Sequence, residues 1–472
     1  MLELIVNAPR WLMLGALIYA PWAYGTTLPW TVNVLNVLLG VILVLWIVGC
    51  LARSSWPMIP SVPKYAALCL CLQAWWMVLN AQSDYDTNTF TFISLSPFLK
   101  SAPGTLHRAL SLPAALSATL LLGTGCFCCD LARRPIWKKR LLVTIALTGV
   151  SIVMLGLAER LSGADGILWG AANQGETFFA TFRYHANAGS YLNLVWPVIA
   201  GLLFAAFKKE EERRVKIFWG AALVISLAGV FVNASRAANL IALALMAVWG
   251  AWVWLQMKRE SSHRAIHPAY IVVAVLVLVM IVAGVAAFGG LDTSLRRWGK
   301  FDEELTSRNP RLLVAQICMR MIPSAGLLGF GPATFQTAFP YYTKELGQEI
   351  SGVWLYAHDD YLQTLVEWGW AGSFFWAIYV LGGVAFSILT VLRYRHQISS
   401  TDRIAWFAIV SAVAGLLIHA SMDFPLQVPS IELYLAALLG VLWSCRSWIA
   451  KPDLLKRLEK RTLPSSRLAA VR

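Results

Sequence analysis

The run VNVLNVLLGVILVLWIVGCL at residues 32–51 decides the fold. It carries no Asp, Glu, Lys or Arg. At about 1.5 Å of rise per residue it is long enough, as a helix, to cross a hydrocarbon core of about 30 Å. In lipid every backbone N–H and C=O needs a partner inside the protein, so a segment of this kind must be helical. Blocks of the same character recur at Leu141–Ala158, Ile217–Val232, Ala269–Phe288, Trp370–Leu392 and Ile404–His419. The short alternating strands of a membrane β-barrel are not seen. The expected spans are 11–26, 28–51, 64–80, 109–132, 141–159, 185–207, 217–233, 237–256, 268–288, 366–392, 404–420 and 430–448. The chain therefore reads as an all-α integral membrane protein with about 12 transmembrane helices.

The rest of the composition agrees. Of 472 residues, 58% are hydrophobic and 14% charged, against about 25% charged in a soluble domain. Many of the 22 tryptophans stand near span ends, such as Trp30, Trp137, Trp254 and Trp448, where an amphipathic ring suits the headgroup layer. The first span reads as retained rather than as a cleaved signal peptide, since neither a basic leader nor a small-residue cleavage site accompanies it.

A net charge of +14 would fit nucleic acid, but the basic residues lie in short blocks between spans and act as topology signals. Arg133-Arg134, Lys138-Lys139-Arg140, Lys208-Lys209, Arg213-Arg214, Lys258-Arg259, Arg393, Arg395 and the tail from Lys451 all fall on one side, which collects most of the 39 Lys and Arg. By the positive-inside rule both termini are cytoplasmic and the long loop 289–365 is outside. The organisation is then spans one to nine over 1–288, one large outer loop over 289–365, spans ten to twelve over 366–448, and a basic cytoplasmic tail at 449–472. Within the loop, Pro310–Ile322 is expected to be a short helix, opened by proline and stopped before Pro323. The eight cysteines imply no disulfide framework. The cluster Cys126-Phe127-Cys128-Cys129 lacks a second ligand pair and reads as packing, not metal binding.

Ionisable residues are costly at mid-membrane, and here they gather instead at the outer side: Glu159, Arg160, Arg183, His185, Arg236, Arg311, Arg320, His358, Asp359, Asp360, Glu367, His419, Asp423 and Glu432. Such a site suits a substrate with a lipid tail and an anionic head, for example a polyprenyl-diphosphate sugar. Arginine's planar fork binds phosphate oxygens, and a histidine is the default base for an acceptor hydroxyl. Glu367 opens the tenth span, where a negative charge favours the helix N-terminus.

Several stretches share a pattern with a known family. Arg311 is followed by Gly329-Phe330-Gly331-Pro332-Ala333-Thr334-Phe335, Tyr341-Tyr342, His358-Asp359-Asp360-Tyr361-Leu362-Gln363 and Glu367-Trp368-Gly369-Trp370-Ala371-Gly372. Two further pieces are Thr181-Phe182-Arg183-Tyr184-His185-Ala186-Asn187-Ala188-Gly189 and Ala234-Ser235-Arg236-Ala237-Ala238. In this order the set resembles the O-antigen ligase/polymerase superfamily. The resemblance implies an enzyme of the bacterial inner membrane that uses neither metal nor cofactor. It implies transfer of a glycan from undecaprenyl diphosphate to a glycolipid or glycan acceptor on the periplasmic face. It implies Arg236 and Arg311 as diphosphate ligands and His358 as the catalytic base. Arg183, Asn187, Arg320, Asp359 and Asp360, all on the same outer side, are further substrate-site candidates. Asp359 stands where the family usually has asparagine; beside His358 it would either favour the imidazolium or orient the ring. Ligase, polymerase and protein glycosyltransferase share these motifs. A lipid-linked glycan flippase is the reading from another class, and predicts a charged central cavity that the spans do not supply. Nucleic acid is not an expected partner; membrane lipid is.

Overall fold

A computed structural model describes residues 2–86, 88–89, 91–170, 178–259, 310–344, 350 and 352–449. The expected span 268–288, the loop from 289 to 309 and the tail beyond 449 lie outside these residues. Nine helices among those described are long and apolar enough to cross a membrane, which makes this a multi-pass membrane protein.

In chain order the helices are α1 (Leu2–Trp22), α2 (Pro29–Leu51), α3 (Ser61–Leu79), α4 (Arg108–Ala132), α5 (Pro135–Leu161), α6 (His185–Lys208), α7 (Arg213–Val232) and α8 (Arg236–Arg259). They continue with α9 (Pro310–Ala325), α10 (Phe335–Thr343), α11 (Asp360–Arg393), α12 (Ser400–Ala420) and α13 (Pro429–Trp443). Proline opens α2, α5 and α13, where its missing N–H costs nothing. The starts of α1 and α5 precede the expected spans by several residues, because the helices run on past the apolar block into polar ends.

Helix α6 sits at the centre. It is buried along almost its whole length from His185 to Gly201 and packs against α5, α7 and α12. Small residues set the close approaches: a Cβ at Gly201 would fall 2.6 Å from that of Ala408, and one at Gly149 would meet Val195 at 2.2 Å. Helix α13 is buried from Ser430 to Trp443 apart from Glu432 and lies against α4, Cys128 and Cys129 among the contacts. Those cysteines are therefore packing residues of the core.

The all-α expectation needs one amendment. Between α3 and α4 a two-stranded antiparallel ribbon joins β1 (Ser83–Asp86) to β2 (Thr91–Ser94). Its turn is held by the Asp86 carboxylate, which accepts from the Asn88 N–H at 2.8 Å and the Thr89 hydroxyl at 3.0 Å. This is the local side-chain capping that favours turns over helix.

Two further boundaries differ from the sequence reading. Helix α9 does not stop before Pro323 but carries it in its last turn; Gly326, at φ +65°, ends the helix by donating its N–H to the Ile322 carbonyl. The tenth expected span starts at Asp360 rather than 366 and is broken at Gly369 (φ 60°, ψ −168°). At that break the carbonyls of Val366 and Glu367 accept from the N–H groups of Phe330 and Gly331 at 3.0 and 2.9 Å. A Cβ on Gly369 would stand 2.4 Å from the Gly329 nitrogen, and one on Gly329 would stand 2.2 Å from the Glu367 carbonyl oxygen. The glycines of the two motifs thus let two backbones touch. A second small core forms around this joint, built from Val314, Ile317, Met321, Phe335, Phe339 and Val366.

Candidate functional site

The centre of the polar end is Asp423, in the turn between α12 and α13. Its side chain is only 5% exposed, and a buried carboxylate must be paired to be tolerated. Oδ1 lies 3.0 Å from His358 Nδ1 and also accepts the Phe424 N–H at 3.1 Å. Oδ2 accepts the Tyr184 hydroxyl at 3.1 Å and lies 3.7 Å from Arg311 Nη2. Burial alone would raise the Asp423 pKa; the hydrogen bond from His358 and the charge of Arg311 outweigh it and hold the carboxyl below its ordinary value.

Four elements bring these groups together. Arg311 is the second residue of α9, and its guanidinium reaches both the Tyr184 hydroxyl (3.0 Å) and the Met422 carbonyl (3.2 Å). Tyr184 is the N-cap residue of α6. The turn that carries Asp423 is fixed by Asp360, which is fully buried and accepts the Leu426 N–H at 2.8 Å and the Gln427 amide at 3.1 Å.

His358 precedes α11 and has φ +54°. This left-handed conformation costs a non-glycine residue on the order of 1 kcal/mol. The strain aims the ring away from the helix, into an aromatic box. Phe424 meets it edge-on at 4.9 Å, Trp354 at 5.7 Å and Tyr184 at 6.5 Å. Phe424 is in turn stacked between Tyr184 and Tyr356. Nδ1 faces the Asp423 carboxylate, and Nε2 is the ring nitrogen directed away from it.

Among the described residues no hydrogen bond joins Asp359 to the imidazole. It is the N-cap of α11, and its Oδ1 accepts the Tyr361 and Leu362 N–H groups, both at 3.0 Å. Asparagine and aspartate serve equally at such a position, so the departure from the family pattern is accounted for by capping. Asp360 likewise acts on structure, through the 425–427 turn. Glu367 is also relocated. It lies at the end of the first segment of α11, and its two oxygens accept the Ala333 and Phe335 N–H groups at 3.0 and 3.1 Å. It therefore favours a helix N-terminus, but that of α10.

The other expected residues divide. Arg236 is the first residue of α8, at a turn where the Asn233 amide donates to the His185 carbonyl at 2.9 Å and the Ser235 hydroxyl caps Ala238 N–H at 3.3 Å. That turn packs on the start of α6, next to Tyr184. Asn187 is buried in the first turn of α6, and its side-chain oxygen has no hydrogen-bond partner among the described residues. His419 is buried nearby, with Nδ1 2.9 Å from the Ser190 hydroxyl. Arg183 is exposed beside Tyr184. Arg320 is exposed on α9, nine positions beyond Arg311, and no contact joins it to Asp423.

The sequence reading assigned no role to Asp423, Tyr184 or Phe424. The available signal was an acid beside an aromatic residue and a proline in a nine-residue connection between apolar spans, Ser421–Pro429.

Fold and site together define a multi-pass helical membrane protein with an imidazole–carboxylate–guanidinium cluster at one end of the bundle. The family model described as O-antigen ligase matches residues 221–377, and this match supports placing the chain in the O-antigen ligase superfamily. The matched stretch includes Arg236, Arg311 and His358; Tyr184 and Asp423 lie outside it. Comparison with curated proteins gives no match.

Proposed function

We propose that this protein is an O-antigen ligase-like glycosyltransferase. It moves a glycan from a polyprenyl-diphosphate donor, of the undecaprenyl class, to an acceptor hydroxyl at the outer face of a bacterial inner membrane. The observation that carries this reading is the 3.0 Å contact between His358 Nδ1 and a buried carboxylate whose other oxygen faces Arg311.

In this mechanism Asp423 holds the ring through Nδ1, and His358 takes the proton from the acceptor hydroxyl on Nε2. The acceptor oxygen bonds to the anomeric carbon of the donor sugar. The bond from that carbon to the diphosphate oxygen breaks, and the lipid diphosphate leaves with the electron pair. Arg311 and Arg236 meet the charge that develops on it. The proton on His358 then passes to the departing diphosphate or to water. No step calls on a metal. The aromatic box of Trp354, Tyr184 and Phe424 offers flat apolar faces to a sugar ring. The distribution of basic residues supports an orientation with both termini cytoplasmic.

The test is mass spectrometry of polyprenyl-linked glycans in cells carrying His358→Ala. Accumulation of full-length polymer on the lipid supports ligase. Accumulation of single repeat units moves the assignment to polymerase. An unchanged lipid-linked pool with unchanged surface glycan removes His358 from the mechanism.

A further inference from the structure

The connection between α3 and α4 lies at the end of the bundle that holds the His358 cluster. Its Leu106 N–H donates to the Phe330 carbonyl at 3.0 Å, and the Phe330 N–H in turn bonds α11. Not all of its apolar residues are packed. Phe98 is 86% exposed and Leu99 47%, side by side in a stretch with no helix or strand of its own.

Helix α3 sets the depth at which this pair stands. Its 19 residues rise about 28 Å, no more than a hydrocarbon core of about 30 Å. The last turn of α3 is therefore at the edge of the core and not beyond it. Leu68, Leu72 and Leu79 are exposed, and Trp76 falls among them at the three- and four-residue spacing of one helix face. That face meets lipid.

The connection is tied down at this depth and on this side. Asn80, directly after α3, accepts the Leu99 N–H at 2.7 Å on Oδ1. Its Nδ2 donates to the carbonyls of Leu99, Ala102 and Pro103 at 3.1, 2.9 and 3.1 Å. Trp76 Nε1, from the lipid-facing stripe, donates to the Pro103 carbonyl at 3.2 Å. Leu99 and its neighbour Phe98 thus branch from backbone held at the core edge. The headgroup layer above that edge is about 6 Å deep, close to the reach of a phenylalanine side chain.

Charge does not draw this segment to the membrane. Residues 81–108 carry Asp84 and Asp86 against Lys100 and Arg108, and the C-terminus of α3 offsets the N-terminus of α4. What remains is the gain from removing exposed apolar surface from water.

We propose that Phe98 and Leu99 insert into the bilayer interface beside α3, so that the connection from α3 to α4 rests on lipid. The partner is the bilayer itself, and the inference does not depend on the reaction assigned to His358.

Photochemical crosslinking tests this. Phe98→p-benzoylphenylalanine and Leu72→p-benzoylphenylalanine are made in the full chain, reconstituted into vesicles of phosphatidylcholine alone or phosphatidylglycerol alone, and irradiated. Leu72 is the lipid-facing reference. The expected result is a covalent phospholipid adduct on the peptide carrying residue 98, with a yield within about threefold of that at residue 72 and the same for both lipids. The Phe98 ring is almost fully exposed, so the substitution disturbs little packing; the same probe at Leu99 gives a second reading if the first variant misfolds. No lipid adduct at either position, with residue 72 labelled, overturns the proposal. A crosslink to a second copy of the chain in place of lipid also overturns it. A yield that requires phosphatidylglycerol overturns its apolar basis.

Discussion

Asp359 and Asp423 are both acids near His358, one adjacent in sequence and the other 65 positions away from the histidine. The neighbour in sequence turns back on its own helix and spends its lone pairs on two backbone N–H groups. The distant one reaches the ring, a tyrosine and an arginine. The difference follows from helix geometry. A residue at an N-cap has its side chain directed at the free N–H groups of the first turn, so an acid immediately before a helix is a poor partner for the residue preceding it. An acid on a separate turn carries no such obligation.

The strongest attempt to break this contrast is Asp423→Asn. The amide preserves shape but removes the charge that fixes the imidazole and balances Arg311. Transfer is expected to fall about 10³-fold, read as product formed per enzyme from a lipid-linked donor, with the protein still eluting as a folded species. Retention of more than a tenth of the activity would place the working acid elsewhere. A pH profile sharpens the point. The Asp423 carboxyl is held below its ordinary value, so its stabilising pairing is complete above the unfolded value of about 3.9 and is lost only as pH falls through the lower folded value. Any loss of activity between pH 5 and 7 therefore has another origin.

Glu367 extends the contrast to a third acid, one that works on structure as Asp359 does but from full burial. In Glu367→Gln one oxygen becomes a donor facing a backbone N–H of Ala333 or Phe335. The expected cost is about 1–3 kcal/mol, seen as a lower apparent melting midpoint, while the protein that remains folded keeps its turnover. Loss of turnover at an unchanged midpoint would make Glu367 part of the chemistry. Tyr184→Phe comes next. It keeps the stack on Phe424 and deletes the hydroxyl shared by Asp423 and Arg311, so about a tenfold loss is expected, partly recovered at higher donor concentration.

The bundle was legible because hydrocarbon thickness imposes a length on apolar runs, and α2 to α8 follow that length closely. The helix ends were less so. Gly369 and Gly329 break and join two backbones through a tertiary contact, and neither glycine announces that alone. Of the site, Arg311 and His358 carried recognisable local patterns. Asp423 and Tyr184 did not, since their meeting depends on α6, α9 and α12 sharing one end of the bundle, and no periodicity encodes which helix ends are neighbours. The motif residues Asp359, Asp360 and Glu367 were visible as a group, yet their hydrogen bonds serve a cap, a turn and a second helix.

The smallest expected effect is the most discriminating. Asp359→Asn keeps an acceptor oxygen for the Tyr361 and Leu362 N–H groups, so transfer should stay within about twofold of wild type. The pH dependence of stability at this carboxyl runs opposite to that at Asp423. Burial raises the Asp359 carboxyl above its ordinary value, against the lowering effect of the two N–H groups. Between the unfolded value near 3.9 and that raised folded value the folded chain binds more protons than the unfolded one, so this carboxyl's contribution to stability declines as pH rises through the window. Asparagine has no charge to desolvate and escapes that decline. The variant should match or exceed the wild-type melting midpoint at pH 7, and its advantage should shrink as the pH is lowered toward 4. A tenfold loss of transfer with an unchanged midpoint would mean that Asp359 acts on the imidazole after all, and that proximity in sequence had been the better guide.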